Sequence, residues 1–196
     1  MTGTRGSEAA REVPATAAAI VDLLNSRPHS TAHLFPEALE DPATASGVLS
    51  PFAGPDAGPP SPERLAGIRA LREILLRLVT ARDAAEAADG WADLSDHAAS
   101  VALRHEFSAP GRVRTRQVAG DPVLGAITLA VAELVDAGTW SRLRVCANER
   151  CGHAFYDTTR SRTQRWHSYE VCGNRKNVAA YRARKKADGA KADGPR

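Results

Sequence analysis

The sequence predicts an α+β protein: a mainly helical body with one β-hairpin, then a small compact module and a basic C-terminal helix. Three observations carry this reading. Several segments place apolar residues at helical spacing between good caps. One stretch near residue 105 changes to a period of two. All three cysteines fall between Cys146 and Cys172.

Residues 1–13 show no periodic pattern and are expected to be disordered. The run ATAAAIVDLLNSR after Pro14 reads as a helix with an apolar stripe of Ala17, Ala18, Ile20, Val21 and Leu24, ended by Pro28. Asp41-Pro42 offers a cap and a first-turn proline for a short helix to about Leu49. Residues 50–60 are rich in proline and glycine and read as a flexible surface loop within the body. Ser61-Pro62-Glu63 opens the clearest helix, with Leu65, Ile68, Leu71, Leu75, Leu76 and Val79 on one stripe through Thr80. Arg72 lies on this helix and reads as a solvated residue, the ordinary state of arginine. Residues 82–99 suggest another helix, broken near Gly90.

Val101, Leu103, His105 and Phe107 then alternate with polar or small residues, and Pro110-Gly111 makes a turn. The return strand, Arg112 to Val118, sets Arg112, Arg114 and Arg116 on one solvated face. Asp121-Pro122 starts a helix with a stripe of Val123, Ile127, Ala130, Val131 and Leu134, closed by Gly138. The helices beginning at Ser61 and Asp121 should pack against the helix ending near Arg27. The body thus spans residues 14–140, the module with its basic helix 141–186, and a disordered tail 187–196.

Four residues separate Cys146 from Cys151, and four separate His167 from Cys172. Two short pairs of soft ligands across a loop is the spacing of a closed, tetrahedral, structural zinc site. One Zn²⁺ held by Cys146, Cys151, His167 and Cys172 is expected, with His153 as a rival nitrogen close behind Cys151. A finger of about forty residues buries too little apolar surface to fold alone, so the metal would supply ~10–16 kcal/mol. Gly152 would permit the knuckle turn. The segments 153–157 and 163–167 could pair and deliver His167, and Phe155, Trp166, Val178 and Tyr181 could form a small core. Asn174 would cap a last helix running to about Lys186. Spacing leaves a treble-clef-like and a ribbon-like arrangement equally open.

Charge is uneven. Residues 141–186 hold twelve Arg and Lys against three acids, +9, whereas residues 1–140 carry −6, within a chain of net charge +3. A basic module on an acidic body suggests a polyanion partner for the module. Arg182, Arg184, Lys185 and Lys186 crowd one helix end, and with Arg175 and Lys176 they are the candidate nucleic-acid contacts, DNA before RNA. Arg175 could instead brace the module against Asp157. No apolar run approaches the ~20 residues of a membrane span, so no membrane partner is expected. The opening residues lack the apolar stretch of a secretory leader, so a cytoplasmic location is expected. No phosphate loop or nucleophile elbow is present and the cysteines are claimed by metal, so no enzyme is expected.

Phe155, Asp157, Arg160, Arg165-Trp166 and Cys172-Gly173-Asn174-Arg175 resemble the CGNR zinc-finger family over about Arg142 to Lys186. The family usually has cysteine after the tryptophan, where this chain has His167. Imidazole keeps coordination intact and makes the site Cys₃His. In the body, VDLLNS, with Asp22 and Asn25 at polar positions, and LREILLRL resemble the ABATE domain that commonly precedes such fingers. Asn25 also reads simply as a helix-end residue satisfying backbone groups. Asn25 and Arg72 are the candidate polar site of the N-terminal domain, where a small-molecule or protein effector could act. The resemblance implies a stress-responsive transcription regulator. A non-catalytic protein-interaction module, in which zinc only staples a small domain, is the alternative.

Overall fold

The computed structural model describes residues 12–30, 34–54 and 59–174. Among the described residues five helices form the body: α1 (Ala15–Asn25), α2 (Pro42–Leu49), α3 (Pro62–Thr80), α4 (Ala84–Ala98) and α5 (Pro122–Asp136). The strands among the described residues make three two-stranded antiparallel sheets: β1 (His29–Ser30) with β2 (Leu34–Phe35), β3 (Ala102–Ser108) with β4 (Arg112–Ala119), and β5 (Leu143–Val145) with β6 (Ala154–Tyr156).

The caps are those the sequence implies. The Asp41 carboxylate accepts from Thr44 N at 2.8 Å, and Ser61 Oγ accepts from Arg64 N at 3.2 Å. Asp121 Oδ1 accepts from Val123 N and Leu124 N at 2.9 and 3.1 Å. Its other oxygen takes Arg64 Nε at 2.6 Å, which ties the start of α5 to that of α3. α1 lies at the centre and packs on α2, α3 and α5, so the expected three-helix contact is found. Its buried face is Ala17, Ala19, Ile20, Leu23 and Leu24, whereas Ala18 and Val21 are only partly covered. Ile68, Leu71 and Leu75 of α3 and Ile127 and Val131 of α5 complete the core.

Four expectations change. α4 runs through Gly90 without a break: a Cβ there would stand 2.8 Å from Leu78 Cδ2, so the glycine lets α3 approach. Arg72 is buried, not solvated. Its guanidinium binds Glu37 through two bonds of 2.7 Å and donates to Ser26 Oγ at 2.9 Å. The β3–β4 hairpin forms as read, but its apolar face is not covered, with Phe107 80% and Val113 57% exposed. Finally, β6 does not pair with residues 163–167. It pairs with β5, in the register Leu143↔Tyr156, Arg144↔Phe155 and Val145↔Ala154.

The reason for the last change is local. Asp157 takes Thr159 N and Gln164 N at 2.9 Å each, and Arg162 adopts a positive φ of 54°. The chain after β6 therefore curls around one carboxylate and cannot run straight back as a strand. No helix among the described residues is long and apolar enough to cross a membrane.

Candidate metal centre

β5 and β6 are joined by the knuckle that carries Cys146 and Cys151. Cys146 N donates to His153 O at 2.9 Å and Cys151 N to Asn148 O at 2.7 Å, closing a tight turn. Gly152 follows with φ +67°, a conformation that a side chain disfavours. Arg165 O accepts from Ala147 N at 2.8 Å, which brings the 163–167 segment alongside and sets His167 over the knuckle. Cys172 comes from a wide helical turn, Tyr169–Gly173, capped by Ser168 Oγ accepting from Val171 N at 3.2 Å. Ser168 thus caps this turn, which Asn174 closes with helical backbone angles; the helix that Asn174 is expected to cap lies outside the described residues. Gly173 is required where Tyr169 folds back: a Cβ would stand 2.6 Å from its ring.

The three sulfurs and one imidazole nitrogen lie within 4.8 Å of one another. Ordinary zinc bond lengths put tetrahedral edges at about 3.5–3.8 Å, so a small contraction closes the site. The Cys151 Sγ to His167 Nδ1 distance of 3.4 Å already matches such an edge. All three cysteines are buried, packed by Trp166 and Val171. Burial first, then the neighbouring Cys146 and Cys172, push the Cys151 thiol up to about 12. Three thiolates cannot share this enclosure without a cation, which is the condition Zn²⁺ meets. Asn148 Nδ2 donates to Cys172 Sγ at 3.5 Å and supports that ligand from outside the set.

His153 is excluded from the ligand set because both its nitrogens have other partners. The Arg27 carbonyl can only accept, so His29 Nδ1 donates to it at 2.9 Å. His29 Nε2 then accepts from His153 Nδ1 at 3.1 Å, and His153 Nε2 accepts from Asn25 Nδ2 at 3.3 Å. Burial first, then the charges of His167, His29 and Arg27, bring His153 down to about 4, so it stays neutral at pH 7.

Asn25 holds the finger to the body. Its Oδ1 accepts from Ala154 N at 2.8 Å and its Nδ2 donates to Ala154 O at 3.0 Å. The side-chain amide thus acts as one residue of a third strand beside β6. Arg27 adds a 2.6 Å bond to Gly152 O. Asn25 and Arg72, taken together as a polar site from the sequence, are therefore spent on internal connections, one to the finger and one to Glu37. Nothing local in the sequence marks the roles of Arg27, His29 or Asn148.

The geometry so assembled is a structural metal site of the Cys₃His type, with a ribbon on one side and a helical turn on the other. A family model agrees. Residues 142–185 match the CGNR zinc finger. No curated protein matches the chain. The match covers the finger alone, and its residues fit one structural zinc ion at Cys146, Cys151, His167 and Cys172.

The finger's cations divide by task. Arg142 is buried and donates to Asp157 O at 2.8 Å and Thr159 O at 2.9 Å. Arg144 reaches Arg162 O at 2.8 Å and the Asp157 carboxylate at 3.5 Å, so among the described residues Arg144 is the cation at Asp157. Burial alone would raise the Asp157 carboxyl, but Thr159, Gln164 and Arg144 together hold it below the ordinary range. Arg150, Arg160 and Arg165 are exposed. Arg175, Lys176, Val178, Tyr181, Arg182, Arg184, Lys185 and Lys186 lie outside the described residues.

Proposed function

We propose that this protein is a non-catalytic, zinc-stapled regulator that contacts DNA through its finger and the basic segment beyond it. The observation that carries this is the charge division, +9 over residues 141–186 against −6 over residues 1–140. A module that concentrates cations around a closed structural metal site is suited to a phosphate backbone. On this reading the N-terminal body is an ABATE-type domain and the finger is treble-clef-like. The hairpin carrying the knuckle and the helical turn carrying Cys172 support the latter.

The test replaces Arg182, Arg184, Lys185 and Lys186 together. If each neutralises one phosphate, the salt dependence of duplex binding should flatten by about 3–4 units of slope. Zinc content should remain at one equivalent, because none of the four is a ligand. A salt slope that survives the quadruple change would refute the finger as the main contact.

One observation favours the interaction-module reading. A groove of about 1080 Å³ lies between the α3–α4 turn and β5, lined by Trp91, Trp140, Leu78, Val79 and Val145 among others. An aromatic floor beside the outer edge of a short strand suits an effector or an extended peptide. Loss of the effector response on Trp91→Ala, with DNA binding unchanged, would assign the groove to that role.

A further inference from the structure

The net charge of the body conceals a local exception. β3 and β4 pair over Leu103–Ser108 and Arg112–Gln117, with Arg104 opposite Arg116, Glu106 opposite Arg114 and Ser108 opposite Arg112. Opposed residues share a face, so four arginines stand together with one glutamate between them. Glu106 pairs with Arg104 at 2.9 Å and more loosely with Arg116 at 3.6 Å. Arg112 and Arg114 have no ion-pair partner among the described residues, and all four arginines are exposed.

The opposite face identifies which way this one looks. At the base of the hairpin, Gln117 Nε2 donates to Asp121 O at 2.8 Å, so the face bearing Gln117, Thr115 and Leu103 turns toward α5. Along that same face exposure rises from Leu103 at 41% to Phe107 at 80%, near the turn. The ribbon therefore extends beyond the body as an arm, and its arginine face points away from α5.

We propose that this β3–β4 arm is a second DNA contact, laying Arg112, Arg114, Arg116 and Arg104 along a duplex phosphate backbone. The proposal rests on the DNA-binding reading of the finger and adds a separate surface to it. Two features carry it. The first is charge: one anion among four exposed arginines is complementary to a polyanion. The second is shape. A two-stranded ribbon fits the major groove of B-form DNA. Arg112 to Arg116 spans about 14 Å at ~3.4 Å per residue, comparable to the axial rise over about four phosphates of one strand.

The experiment measures binding of the full-length, zinc-loaded protein to a random-sequence 30-base-pair duplex (about three helical turns) by fluorescence anisotropy, across about 50–200 mM salt. Arg112→Gln, Arg114→Gln and Arg116→Gln together should lower the salt slope by about 2–3 units and weaken binding by roughly 10²-fold at 0.1 M salt. The corresponding triple lysine variant should keep the slope, and Arg114→Gln alone should lower it by about one unit. The single variant stands in if the triple one folds poorly, as judged by zinc content and melting.

If the intact protein ignores the duplex at about 50 mM salt, both the DNA reading and the arm fall. If the quadruple finger variant loses its slope while the triple glutamine variant keeps it, the arm alone falls. If Phe107→Ser with Val113→Thr dissolves a dimer and the arginine variants leave DNA binding intact, the ribbon joins copies of this chain and the proposal is overturned.

Discussion

Asn25→Ala should loosen the finger from the body without touching a metal ligand. The side chain supplies a donor and an acceptor to the two backbone groups of Ala154, at 3.0 and 2.8 Å. Ala154 is 1% exposed, so water cannot replace either bond without the sheet edge opening. A buried polar group left unsatisfied costs about 1–3 kcal/mol. Two such groups, less some local relaxation, set the expected loss at about 2–4 kcal/mol. In a chain of this size a loss of 1 kcal/mol lowers the melting temperature by roughly 2–4 °C. The midpoint should therefore fall by about 5–15 °C at fixed free zinc. Asn25→Asp is the sharper control: it keeps the acceptor for Ala154 N but turns an anionic oxygen toward Ala154 O, so it should not rescue. Thermal unfolding by circular dichroism gives the magnitude, and hydrogen exchange at Ala154 to Tyr156 gives the place. A midpoint within about 1 °C of the parent, with unchanged exchange in β6, would refute the view that this amide is the finger's anchor.

Further outcomes follow from the same contacts. His167→Ala should lose tight zinc, and His167→Cys should retain it, as measured by metal content after dialysis against a mild chelator; equal retention by both would remove His167 from the site. Arg72→Met should cost about 3–5 kcal/mol in urea unfolding, because it strands Glu37 beside Ser26, and adding Glu37→Met should recover much of that loss. Burial tends to raise the Glu37 carboxyl, but Arg72 outweighs it and holds the group below its ordinary value. That stability is present above the unfolded carboxyl pKa of ~4.3 and is lost as pH falls through the lower folded value. Glu37→Gln should therefore be less stable than the parent at pH 7, and the gap should narrow on acidification; a gap constant with pH would refute the linkage.

How much could be read from the sequence depends on the range of the interaction. The caps at Asp41, Ser61 and Asp121 are decided within three residues, and each appears in the structure as a side-chain oxygen on a backbone N–H. The four zinc ligands are legible for a related reason, since two of the site's dimensions are short loops of four residues. Asn25 is different. Its partner lies 129 positions away, and no local pattern distinguishes an amide that ends a helix from one that holds a distant strand. Arg72 is hidden similarly: helical spacing puts it beside the apolar stripe, and only Glu37 on a separate loop explains its burial. Chain order favours pairing β6 with the next segment, whereas Asp157 gathers that segment into a turn. Propensity makes Gly90 a breaker, and packing against Leu78 overrides propensity.

The mode of docking changes what the metal does. A finger this small has little core of its own, and its sulfurs are covered mainly by Trp166 and Val171. Leu143 and Ala154, however, belong to the core of the body, with Val145 and Tyr156 packed at its margin. The ribbon thus obtains its apolar burial from α1 and α3, while zinc closes the knuckle that joins its strands. Metal ligands and body packing therefore meet on the same short ribbon, Leu143 and Ala154 in the core and Cys146 and Cys151 in the knuckle between its strands. Asn25, Arg27 and His29, at the end of α1 and just beyond it, all bond to residues 152–154, immediately after Cys151. A displacement of that helix end must therefore move the knuckle. The structure gives the body a direct mechanical hold on the metal site.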